Sequence, residues 1–373
     1  MLRRLESRAD WQIALAIAVS LRLFYSAAVA VVSPFLHPDT ALIRSNALTE
    51  NLPAPGGWHY ALLGIWERFD TLWYLRIADR GYDLPASVVY YPLYPWMIRA
   101  LAPLAGGIAS ALFISTAASG FIFWGMVRLA RMDSPDFLRF RVLALTAVWP
   151  ASFFLFAGYT EALAVALVVW SILFARRDGW IAAAACALAA GLTRSMGTLL
   201  IVPLSIMAWR ARRWSAWPVV LAPAGTLAYW TWLRATGHIS IAAAYRTYWS
   251  TNVAAPWTTV WRAWVSMAHH RDSLLAISLA FLVLFTIAGV LAPRRRIEDR
   301  CFSGAVILHI LLRLCNPPLL GTPRYLLPIY PAFLSMGRIL DKMQPTRFAL
   351  LCTTLFLVNL VWMWAFLNWS LVF

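Results

Sequence analysis

Apolar residues come in long unbroken runs along this chain, at 11–32, 90–104, 107–127, 142–157, 161–175, 180–193, 197–209, 216–235, 274–292, 301–315, 324–337 and 348–370. A backbone in lipid must satisfy its own hydrogen bonds, and runs of this kind, rather than ten-residue alternation, predict helices and not barrel strands. A full span takes about 20 residues. Several runs are only 13–16 long, so some must extend into their flanks or sit short and broken. No internal repeat shows. The pattern predicts an all-α, polytopic membrane protein with about 11–12 transmembrane helices, organised as one domain over residues 1–373.

Charge then orients the runs. Six segments, 1–10, 128–141, 176–179, 210–215, 293–300 and 338–347, total 52 residues and hold 19 of the 32 basic side chains. That bias places them in the cytoplasm. If 90–104 and 107–127 both crossed, 128–141 and every later basic loop would fall outside. The conflict vanishes if 90–104 dips in without crossing or lies at the interface. Pro92, Pro95, Pro103 and the Gly106-Gly107 break favour an interrupted helix there. Eleven crossings follow, with the N-terminus cytoplasmic and the C-terminus outside; twelve crossings with a weaker charge rule is the alternative. Two long outer segments remain, 33–89 and 236–273. The first is rich in Trp58, Tyr60, Trp66, Trp73, Tyr74 and Tyr82, residues of a membrane interface. Part of it is expected to lie flat on the bilayer as amphipathic helices.

Composition narrows the class. The chain is 61% apolar and 13% charged, with a mean hydropathy of +0.67; soluble domains are about half apolar and a quarter charged. A soluble enzyme, a secreted disulfide scaffold and a disordered chain are excluded. The net charge of +16 reflects arginine in inner loops, and no nucleic-acid partner is expected. Cys186, Cys301, Cys315 and Cys352 lie in apolar stretches without C-x-x-C spacing and read as small buried hydrophobes. Residues 11–32 are long enough to span and show no clear cleavage site, so no cleaved signal peptide is expected.

Function should sit outside, where the chemistry-bearing residues gather. In E-R-F-D-T-L-W-Y-L-R-I-A-D-R-G-Y, Glu67 to Tyr82, a helix would set Trp66, Asp70, Trp73 and Ile77 on one face. Asp70 among large apolar groups would have its pKa raised and become a better base. An interfacial helix whose acids pair with Arg76 and Arg80 explains the same spacing. The V-V-Y-Y-P-L-Y-P-W stretch, with Tyr91 and Tyr94, reads as a stiff aromatic entry into the membrane or a ligand contact. Glu161 in Y-T-E is an acid at the outer end of a span, functional by default, or simply a helix start. Arg194 in G-L-T-R-S-M-G and Arg324 in G-T-P-R-Y-L-L-P present planar donor forks suited to phosphate; pairing to an acid or snorkelling to headgroups is the other reading. Ser195 and Tyr325 adjoin them. Arg22, Arg99 and Arg313 lie inside apolar runs and read as partnered structural charges. No metal-ligand box, Walker loop, G-x-G-x-x-G or G-x-S-x-G is present.

Taken in order, F-D-T-L-W-Y-L-R-I-A-D-R-G-Y, Y-Y-P-L-Y-P, W-P-A-S-F-F-L-F-A-G-Y-T-E-A-L, G-L-T-R-S-M-G and P-R-Y-L-L-P-I-Y-P resemble the GPI mannosyltransferase II (PIG-V) family and its prokaryotic relatives, over roughly residues 11–340. The resemblance implies a C-type (GT-C) membrane glycosyltransferase in a prokaryotic plasma membrane. It would use a polyprenyl-phosphate sugar, usually mannose, and a lipid or glycan acceptor on the outer face. It implies that Asp70 is the essential outer-loop acid and that Glu161 matches the Glu of the Y-T-E block. Trp73-Tyr74 stands where the eukaryotic enzymes usually carry His-Phe. On this reading Asp70 is the base, Glu161 orders the acceptor or pairs an arginine, and Arg194 and Arg324 clamp the phosphate. Trp73, Tyr74, Arg76, Tyr91, Tyr94, Ser195 and Tyr325 are weaker substrate-binding candidates. No cofactor and no obligatory metal are expected. A lipid or solute transporter, or flippase, is the competing class, since interrupted helices and intramembrane arginines suit it as well; a non-catalytic scaffold is the third.

Overall fold

The computed structural model describes residues 2–38, 43, 48, 52, 56–133, 137–270 and 273–370. Among them the regular structure is helical except for one two-residue strand pair, Asn252–Val253 against Arg313–Leu314. The all-α, multi-helix architecture expected from the apolar runs is therefore the one observed. Four described helices are long and apolar enough to cross a membrane: Asp10–Phe35, Gly107–Asp133, Ser273–Val290 and Pro345–Leu367. Glu161–Ala175, Trp180–Thr193 and Ser195–Ala211 are shorter apolar helices.

The chain forms two compact units. One comprises Met1–Gly81, Leu93–Ala166 and Gly337–Val372; the other comprises Tyr82–Pro92 and Leu167–Met336, with Phe373. They alternate along the sequence, so no single breakpoint in composition marks them.

In the first unit, helix Leu2–Val32 runs along Gly107–Asp133, which also carries Leu93–Ala105 and Phe137–Val148. Helix Asp70–Arg80 rests on Leu93–Ala105. At one end Asp10 pairs with Arg131 at 3.0 Å, Arg338 with Asp133 at 2.9 Å, and Arg141 donates to the carbonyls of Leu340 and Met343. Three of the basic segments thus meet at one end of this unit. Helix Leu2–Val32 leaves that end, and Gly107–Asp133, 27 residues or about 40 Å, returns to it. Leu93–Ala105 has 13 residues, about 20 Å, and stops at Gly106, whose φ of 82° only glycine adopts without strain. A helix of this length is shorter than the roughly 20 residues that a full span takes.

In the second unit, Trp180–Thr193 packs on Trp214–Leu221 and Ala224–Ala235, and Ile297–Leu311 receives Ile201–Ala211 and Ser273–Val290. Its basic segments gather too: Arg176 pairs with Asp299 at 2.6 Å, Arg213 with Asp178 at 2.8 Å and Arg210 with Glu298 at 3.3 Å. Tyr330 donates to the same Asp299 carboxylate.

Several apolar runs are broken where one helix was expected. In the first unit, run 142–157 ends its helix at Val148, and the Pro150 turn leads into a 3-10 stretch, Ser152–Leu155. In the second, run 216–235 divides at Pro223 and run 324–337 at Pro328. Proline removes a donor and clashes with the preceding turn, which hydropathy alone does not register. Only Cys315 is buried outright; Cys186, Cys301 and Cys352 are half-buried, and all four are free thiols.

The two long outer segments differ. Helix Pro256–His270 exposes Trp257, Val260, Trp261 and Trp264 on one face, as an interfacial helix does. Among the described residues of the first segment, the short helix Gly57–Leu62 behaves so, with Trp58 exposed. Asp70–Arg80 instead packs into the protein: Thr71, Leu72, Trp73, Tyr74, Arg76, Ile77 and Ala78 are all buried.

Candidate active site

Asp70 is the first residue of its helix, not a mid-helix acid. Trp66 belongs to the preceding 3-10 turn, Gly64–Trp66, so the shared face expected for Trp66 and Asp70 does not form. The break is Phe69, whose φ of 45° is a costly conformation for a large residue, on the order of 1–3 kcal/mol. The effect is to place the Asp70 carboxyl, half-buried, at a helix N-terminus, where the helix dipole favours negative charge.

Packing holds that conformation. The Phe69 ring lies 4.7 Å from Trp369 and 5.5 Å from Phe366. Arg68, buried, donates to the carbonyl of Leu367 at 3.1 Å and to the Tyr60 hydroxyl at 2.9 Å, and its guanidinium sits over Trp369. The C-terminal residues thus brace the turn that presents Asp70, a long-range partnership that no local pattern reveals.

The Y-T-E block meets the same helix. The Asp70 N–H donates to the Tyr159 hydroxyl at 3.3 Å, and the hydroxyls of Tyr74 and Thr160 are 3.1 Å apart. Ser115 donates to the Tyr159 carbonyl and is bonded to Tyr94, which stacks edge-on against Tyr74. Glu161, buried, opens helix Glu161–Ala175 and acts electrostatically on Tyr94. Gly158 lies against Thr71 so closely that a Cβ there would fall 2.7 Å from its Cγ2; glycine is what lets the two motifs touch. Asp70, Glu161, Tyr74 and Tyr94 are therefore brought together in the first unit. Tyr94 is fully buried with its hydroxyl engaged by protein, which makes it a support rather than a substrate contact. Trp73 and Arg76 are also buried in this helix.

Glu67 carries a signal that the motif reading passed over. Burial pushes its carboxyl up to about 7, against a smaller opposing pull from Arg68. A raised native pKa favours the fold below the unfolded value, 4.5, and that contribution is lost as pH rises to about 7. Glu67→Gln stays neutral, so its melting temperature relative to wild type should climb between those two values and level off above. A difference that is constant from pH 4.5 to 8 would contradict this environment for Glu67.

The second unit holds the arginines. Arg194 is the extended residue between helix Trp180–Thr193 and the 3-10 helix Ser195–Leu200. Gly197 makes that reversal possible, since a Cβ there would sit 2.1 Å from the Ala190 carbonyl carbon. Arg324 and Tyr325 belong to the short helix Thr322–Tyr325. The guanidinium carbons of Arg194 and Arg324 lie 4.9 and 5.1 Å from the Tyr325 ring centre, and Arg324 donates to the Tyr325 hydroxyl at 3.2 Å. These two motifs, 130 residues apart in sequence, meet on one ring. Arg313, expected to be a structural charge, is there too, 4.4 Å from the same centre. Ser195 is half-buried beside Arg194. Tyr91 lies in the same unit but is held by Trp230, which donates to its hydroxyl at 3.0 Å, and by Tyr229; it too is framework.

Neither a protein-family model nor a curated protein matches this chain. Among solved structures it is similar to ArnT from Cupriavidus metallidurans in the apo state, with 15% identity and a TM-score of 0.46 over 78% of this chain and 58% of that one. It is similar to the same protein bound to undecaprenyl phosphate, with 15% identity and a TM-score of 0.47 over 92% of this chain and 64% of that one. The chain thus spans under two thirds of the length of these proteins.

Proposed function

We propose that this protein is a GT-C membrane glycosyltransferase that moves a sugar, mannose in the first instance, from a polyprenyl phosphate to a lipid or glycan acceptor. The observation that carries the reading is the union, in one unit, of two acid-bearing motifs far apart in sequence: the Asp70 helix and the Y-T-E block, joined by the Asp70–Tyr159 and Tyr74–Thr160 hydrogen bonds. The gathering of Arg194 and Arg324 on Tyr325 supports a phosphate-bearing donor, because guanidinium forks match phosphate oxygens.

In the proposed step the acceptor oxygen bonds to the anomeric carbon as the bond from that carbon to the phosphate oxygen breaks. The bonding pair leaves with the phosphate, whose charge rises from one negative to two. The acceptor proton passes to the Asp70 carboxylate. A single displacement inverts the anomeric configuration, by analogy with inverting hydrolases. Glu161 orders the acceptor. Arginine supplies the charge stabilisation on the phosphate, so the scheme requires no metal.

Purified protein given radiolabelled polyprenyl-phosphate mannose and a membrane-lipid extract should transfer label to an acceptor, and excess EDTA should leave the rate within about twofold, small against the hundredfold scale of a lost catalytic group. Loss of transfer on chelation, restored by a divalent ion, would remove the metal-free scheme. The proposal places the site on the outer face of a prokaryotic plasma membrane, with the basic segments inside. Cysteines introduced at 210–215 should then resist a membrane-impermeant maleimide added to intact cells, and labelling there would reverse the orientation.

A further inference from the structure

Arg313 has no part in the transfer scheme above, yet the fold goes to some length to place it. It follows helix Ile297–Leu311 and enters the strand pair, with Val253 opposite it and the Ala254 N–H donating to the Leu312 carbonyl at 3.0 Å. Its guanidinium carbon lies 4.4 Å from the Tyr325 ring centre and 5.7 Å from that of Tyr245. With Arg194 and Arg324 at 4.9 and 5.1 Å from Tyr325, three guanidinium groups share one ring, no pair more than about 10 Å apart, where like charges repel. The aromatic faces offset part of that repulsion and orient the forks.

Two cations suffice for a phosphodiester, which carries one negative charge. The lipid product is a phosphate monoester, which approaches two negative charges at pH 7 because its second pKa is about 6. We infer that Arg313 completes a three-guanidinium site that takes the prenyl phosphate monoester in preference to the sugar-bearing diester. This rests on the function proposed above and deepens it: the extra cation acts on charge that appears only as the sugar leaves, which is where stabilisation speeds a reaction. It also makes free prenyl phosphate a product inhibitor.

The test uses the full chain in detergent, with a ten-carbon prenyl phosphate and its methyl diester as probes, each titrated at pH 7.5 and 5.5. The groups near Arg313 that can titrate are Tyr325, Tyr245 and Cys315, with His309 facing both Arg313 and Arg194. A neighbour that gains charge acts more strongly on a dianion than on a monoanion, so the same ratio is measured in His309→Gln protein, where the pH dependence that remains is the ligand's own. Wild type should bind the monoester at least about tenfold tighter at pH 7.5, and the preference should fall about fourfold at pH 5.5, where roughly a quarter of the monoester keeps its second charge. Arg313→Gln should abolish the preference while leaving diester affinity within about twofold, well under the loss expected for a direct charged contact. Arg313→Lys, which keeps the charge but not the fork, should restore part of it. If Arg313→Gln weakens both probes equally, or if the wild-type preference is pH-independent, the inference is wrong while the glycosyltransferase reading stands. If wild type binds neither probe, both fall together.

Discussion

Asp70→Asn should lower sugar transfer at least about a hundredfold, the usual scale for loss of a general base, with donor binding unchanged and melting temperature little altered. A hundredfold corresponds to about 2.7 kcal/mol in the barrier. The structural cost of the change is smaller: losing a negative charge at the start of helix Asp70–Arg80 is worth about 0.3–1 kcal/mol, and a neutral amide is easier to bury than a carboxylate. The size of the effect therefore separates chemistry from folding. Two variants calibrate it. Asp79 is exposed and lies 3.5 Å from Arg80, a contact of little energetic weight, so Asp79→Asn should be close to wild type. Glu161 is buried against the Tyr94 cluster, and Glu161→Gln should fall between the two. Rates are compared at equal expression and equal thermal stability; near-normal transfer by Asp70→Asn would take the base out of the mechanism.

Arg194→Ala and Arg324→Ala should each weaken binding of the polyprenyl-phosphate donor while leaving acceptor affinity nearly unchanged. A lost hydrogen bond to a charged group costs about 1.5–3 kcal/mol, or roughly 10- to 150-fold in affinity. The two changes should also be non-additive, because both guanidinium groups sit on the Tyr325 ring and residues sharing one partner couple. Donor titration of both single variants and the double variant checks this. Normal donor affinity in both single variants would place the phosphate elsewhere.

The parts of this fold that were legible in sequence are those encoded locally. Apolar runs predicted helices, and within each unit basic segments lie close together, at the Asp10–Arg131 and Arg176–Asp299 pairs. Pro103 and Gly106 marked a short helix, Leu93–Ala105, that ends at Gly106. What escaped was encoded at a distance. The pattern of large residues put Trp66 and Asp70 on one helix, because nothing local announces that Phe69 adopts a positive φ; the restraint comes from Phe366 and Trp369. Arg313 read as a structural charge because it lies inside an apolar run, whereas the chain there leaves the helix for the strand pair with Asn252–Val253 and sets Arg313 beside Tyr325. Tyr91 and Tyr94, three residues apart, looked equivalent. They belong to different units, each with its hydroxyl held by a different partner, Trp230 and Ser115.

The central claim is that the chain breaks the bond between sugar and lipid phosphate. Phosphorus NMR follows that bond directly, since a prenyl phosphate monoester and a sugar-bearing diester resonate apart. Wild-type protein in vesicles, given the diester donor and acceptor lipid, should convert the diester signal to the monoester signal, and Asp70→Asn protein at equal donor occupancy should leave it unconverted on the same timescale. A diester that stays intact with wild-type protein while crossing the bilayer would identify a transporter and contradict the account.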